Sequence, residues 1–136
     1  MRRLIPLLAL APSAALAFSV EALPQLTLKG GEGTSIPDTG LVALLTDVTD
    51  QRCPPEVDCY WEGMIRAKIV ILGPRPELYE IVLCNLCDDA DRSATVAGME
   101  LTLVSLAPST EELARLGRDA LLTDYTLTVA YGPADN

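Results

Sequence analysis

"CYWEGMIRAKIVIL", residues 59–72, alternates in the way of an extended chain with one buried face. Trp61, Gly63, Ile65, Ala67, Ile69 and Ile71 fall on one side, and Glu62, Met64, Arg66 and Lys68 on the other. Period-two patterning assigns the first set to a core and the second mostly to solvent. The stretch is long for one strand, so Gly63 reads as the mark of a bulge. Tyr125, Leu127, Val129 and Tyr131 repeat the scheme against Thr126, Thr128 and Ala130.

Outward from this segment, Gly, Pro and Asp turns cut the chain into short apolar stretches. These are Leu23 to Lys29, Leu41 to Thr49, Tyr60 to Leu72, Leu78 to Leu83, Thr95 to Leu106 and Asp124 to Tyr131. Strands of that length and punctuation predict an all-β fold, an antiparallel β-sandwich or open barrel of about six to seven strands. Ser109 and Glu112 form a capping box, and Leu113 with Leu116 supplies a small apolar stripe ending near Gly117. At about two turns this helix is too short to stand alone, so it is expected to pack over one end of the sandwich as a crossover.

The first residues, MRRLIPLLALAPSAALA, carry Arg2 and Arg3 before an apolar run and end in Ala15-Leu16-Ala17. That is the layout of a cleaved secretory signal, residues 1–17, which makes residues 18–136 a single mature domain and the protein exported, periplasmic or secreted. Removing 17 of 136 residues leaves 119, enough for one core. Loss of the two arginines leaves 8 basic against 19 acidic side chains, a formal −11. So acidic a chain is repelled by nucleic acid and by anionic lipid, and no later stretch is long enough to span a membrane.

Histidine is absent. Ser-His-Asp and Cys-His catalysis, the usual proton shuttle near neutral pH and the commonest zinc ligand go with it. There is no glycine-rich phosphate loop either. Four cysteines in an exported chain point to two disulfides, for which three pairings exist. Local pairing, Cys53 with Cys59 and Cys84 with Cys87, is preferred because Pro54 and Pro55 favour a compact loop that returns the chain; loop entropy alone favours the longer links. Cys84-Asn85-Leu86-Cys87 has redox-motif spacing. It follows a strand and precedes Asp88, Asp89 and Asp91, whose charges would raise a thiol pKa. A Cu(I) site built from Cys84 and Cys87 with Met64 or Met99 is the sharper alternative. The acidic turn after Cys87 lacks the spacing of a calcium loop.

Asp50-Gln51-Arg52-Cys53-Pro54, followed by Cys59-Tyr60-Trp61-Glu62-Gly63, resembles a group of small bacterial secreted proteins and lipoproteins with the pattern D-x-R-C-P, then C-x-W-x-G. The CNLC pair departs from the two-cysteine form of that group. The resemblance implies an exported β-fold and no particular activity, cofactor or catalytic residue. On it, Trp61 is expected to fill the core beside the Cys53–Cys59 cystine, anchoring the two sheets, and Arg52 to pair with Asp50 or Glu56. The resulting expectation is a non-enzymatic binding or structural module of the envelope, without cofactor, whose partner is a protein or small ligand. The alternative is a Cu(I)-binding or thiol-redox protein using the CNLC pair.

Overall fold

A computed structural model describes residues 22–60 and 63–134. Trp61 therefore lies outside the described residues, as do Glu62 and residues 1–17, the segment expected to be a cleaved signal. Eight strands build two four-stranded antiparallel sheets packed face to face. The strands are β1 (Gln25–Lys29), β2 (Gly33–Ile36), β3 (Leu41–Arg52), β4 (Gly63–Leu72), β5 (Leu78–Asn85), β6 (Ser93–Val96), β7 (Met99–Ala107) and β8 (Thr126–Pro133). One sheet runs β1-β8-β7-β6 and the other β2-β3-β4-β5. The chain crosses between sheets twice, from β1 to β2 and from β5 to β6.

The core follows the alternation. Ile65, Ala67, Ile69 and Ile71 of β4 are buried, with Ala43 and Leu45 of β3 beside them. Leu101 and Leu103 of β7 and Leu127 and Val129 of β8 face them from the other sheet. Aliphatic side chains of both inner faces thus supply the transfer free energy that holds the layers together, about 25 cal/mol per Å² buried.

Six expected stretches become eight strands for two local reasons. Thr95–Leu106 is a hairpin, because Ala97 and Gly98 both take positive φ, 49° and 76°, and turn the chain between Val96 and Met99. Such a two-residue primed turn matches the twist of its flanking strands. The loop after Lys29 contains β2, which pairs with β3 through Gly33↔Leu44 to Ile36↔Leu41.

Gly63 is needed for a different reason than a bulge. Its φ is +87°, and a Cβ there would lie 2.4 Å from the Gln51 carbonyl oxygen. The register shifts fall elsewhere, at Leu45/Asp47 and Leu103/Ser105. Ser109 caps α1 (Thr110–Ala114) by accepting from the Glu112 N–H at 3.2 Å. The helix is about one turn, shorter than its stripe suggested: Leu113 packs against the core, whereas Leu116 is exposed. It belongs to the connection between β7 and β8, neighbours in one sheet.

Candidate functional site

At the end of the sandwich where β3 and β7 finish, Arg52 is held by Asp50 two residues earlier. Its Nε donates to Asp50 Oδ1 and its Nη2 to Oδ2, each at 2.8 Å. The same guanidinium reaches the opposite sheet, where Nη1 donates to the Leu106 carbonyl at 3.0 Å and Nη2 to that of Pro108 at 2.8 Å. The spacing explains the fork: residues i and i+2 of a strand share a face, so a short carboxylate and a long guanidinium there can meet in plane. Glu56 takes no part in these bonds.

Asp50 has no spare capacity. Oδ1 accepts from the Arg52 backbone N–H as well as from Nε, and Oδ2 accepts from the Tyr125 hydroxyl at 3.2 Å as well as from Nη2. Burial pushes this carboxyl up, but the Arg52 hydrogen bonds and charge, with the Tyr125 hydroxyl, outweigh it and hold the group below its ordinary value. Tyr125 is shifted upward, first by burial and then by the Asp50 charge. A carboxylate so held is a weak base.

Beside this cluster lies a groove of about 310 Å³. Pro54 and Pro55 form one wall; Thr110, Leu113 and Ala114 of α1 form another; Asp50, Arg52 and Tyr125 lie at its base. Arg118, Asp119 and Ala120 complete it. Arg118 is itself engaged, donating through Nη1 and Nη2 to the two oxygens of Asp124 at 2.8 and 2.9 Å. Those bonds, with the Leu121 N–H, hold Asp124 at about 2.

The Cys53–Cys59 disulfide is present, its Cα atoms 5.9 Å apart. It closes the connection between β3 and β4, two strands of the same sheet, and Cys59 is exposed. The expectation that this cystine sits inside the sandwich and anchors two sheets is thereby corrected. Between Cys53 and Gly63 the chain must leave β3 and re-enter β4, so the link staples a turn. The sheet-to-sheet tie at this end is Arg52, which the sequence offered only as a local partner of an acid.

Cys84 and Cys87 are also joined. Cys84 is buried at the end of β5, and Cys87 is half-buried in the loop beyond it. The acids that follow do not act alone on this pair: Arg66 Nη2 lies 3.7 Å from Cys87 Sγ and also pairs with Asp89. The signal for this was the position of Arg66 in the alternation, opposite Cys84 once β4 and β5 are registered. Met64 lies on the same strand as Arg66, two residues away. Met99 begins β7 at the other end of the sandwich and is buried in the core, so it is no partner for the CNLC sulfurs. Among the described residues no three His, Cys, Asp or Glu side chains are placed to hold a metal ion, and no helix is long and apolar enough to cross a membrane. No family model, curated protein or solved structure matches the chain.

Proposed function

We propose that the protein is exported through residues 1–17 and that residues 18–136 act in the periplasm or outside the cell as a non-enzymatic binding module, with the Arg52 groove as the ligand contact. One observation carries this reading. The acid–base groups at the groove's base, Asp50, Arg52 and Tyr125, are committed to one another and to the frame. A wall of Pro54, Pro55, Leu113 and Ala114 is left to make contacts. Rigid support under loops suits recognition better than turnover.

The test has three readings on protein recovered after export. The first residue is expected to be Phe18. NMR titration with a library of small apolar carboxylates, amides and proline-containing peptides is expected to shift resonances around Ala114 and Ala120, and Leu113→Arg to abolish those shifts. Hydrolysis of an ester, phosphate or glycoside that Asp50→Asn abolishes would refute the binding reading.

The placement of Arg66 beside Cys87 Sγ supports a second reading, thiol–disulfide exchange at the CNLC pair. A guanidinium at that distance favours the thiolate of a reduced Cys87. Two titratable thiols in the exported protein, with Cu(I) uptake by Cys84, Cys87 and Met64, would support it. Four sulfurs that stay blocked in a glutathione redox buffer would oppose it.

A further inference from the structure

The two outer faces of the sandwich differ in kind. On the β1-β8-β7-β6 sheet, register brings Thr27 beside Thr128 and Ser93 beside Thr102, hydroxyl-bearing side chains that water solvates readily. On the other sheet the outward positions at one end are aliphatic. Val42, Leu72 and Leu78 form one row across β3, β4 and β5, and Leu44 and Val70 lead the next. Val82 follows beside Lys68. Leu72 and Leu78 are 39% and 66% exposed, and the four others are half-buried although they point away from the core.

We propose that this face is where a second copy of the chain docks, sheet upon sheet. Charge on the face argues for a copy of itself. Lys68 and Glu80 lie diagonally across β4 and β5 at the border of the aliphatic rows. Neither forms an ion pair with another described residue. A twofold axis lying in the face midway between them sets each copy's Lys68 on the other's Glu80 and brings the Val70 and Leu44 region of one copy over that of the other. With strands about 4.8 Å apart and about 6.8 Å between alternate residues, the strands of the two copies then cross at about 70°, close to the orthogonal class of sheet packing.

Charge balance elsewhere fits. Arg66, which Asp89 already neutralises, and Lys68 against Asp47 and Glu80 leave this face with one acid in excess, a small charge for so acidic a chain. The remaining repulsion is screened beyond about 8 Å at physiological salt. Size sets the strength: four strands span about 19 Å, and two such sheets crossing at about 70° overlap over about 400 Å² per partner, half of a standard interface, so the dimer is weak and forms toward the top of an accessible concentration range. The association does not depend on what the Arg52 groove binds.

Sedimentation equilibrium of the exported protein over a concentration series up to about 1 mM is expected to show monomer and dimer. Val70→Lys should give monomer only. Lys68→Glu and Glu80→Lys should each weaken the dimer about tenfold or more, and the double exchange Lys68→Glu/Glu80→Lys should return it to within a few-fold of wild type. Thermal unfolding of each variant separates folding from association, and the charge exchanges alter exposed or half-buried side chains only. A chain monomeric throughout, a dimer indifferent to Val70→Lys, or charge reversals that the double exchange does not rescue would each overturn the proposal. So would a monomer that binds phosphatidylglycerol vesicles through Val70, which would give the face a lipid occupant.

Discussion

Arg52 is 16% exposed along its side chain and Asp50 9%, so their ion pair is shielded and its loss is costly. Truncation in Arg52→Ala leaves Asp50 short of two donors and frees the carbonyls of Leu106 and Pro108. The expected loss is about 2–4 kcal/mol in urea unfolding, with Arg52→Lys recovering only part because an ammonium lacks the planar fork. The pH dependence follows from the depressed Asp50 value. The unfolded chain takes up this proton more readily than the folded one, so the contribution is complete above the ordinary carboxylate range and fades as pH falls through the lower folded value. Asp124, held at about 2, extends the loss further into acid. Acid titration followed by circular dichroism should therefore show Asp50→Asn less stable at neutral pH yet shallower in its decline below about pH 4. The Asp50–Arg52 neighbourhood was legible because two residues separate them. Tyr125 and Leu106 were not, since nothing in a single sequence registers positions 75 and 54 residues away.

At the scale of elements, alternation located the strands where one face is buried and failed where strands are short. β4 reads cleanly because all its inward positions are aliphatic or small. β2 offers four residues with one buried side chain, Ile36, too few to show a period. The Val96–Met99 turn escaped because Ala-Gly is a weak signature for a backbone that turns left twice. Ala97 there occupies a region that disfavours a Cβ. Replacing it by Asn, which tolerates that region, should stabilise the hairpin by about 0.5–1 kcal/mol and raise the thermal midpoint.

Over the whole molecule, the disulfides contribute little to joining the layers. The two bridges span sequence separations of six and three residues. By loop entropy each is worth about 2 kcal/mol, so Cys53→Ser/Cys59→Ser should remain folded, with native near-ultraviolet dichroism and a lower denaturation midpoint. The antiparallel sandwich was readable from strand length and punctuation. The order of strands was not, because it depends on which edge each connection chooses, a matter of long-range closure that local pattern leaves open.

The first and last strands lie side by side. Gln25 pairs with Ala130, the Tyr131 N–H donates to the Pro24 carbonyl at 3.0 Å, and Leu23 packs against Gly132. Both handles on the folded body thus emerge at one pole, and Arg52 guards the other. A carrier fused at that pole, or a surface that immobilises the molecule by a tag there, leaves the Arg52 groove free. A short linker could join the two termini and the ring be reopened near Glu56, giving a circular permutant of unchanged strand pairing.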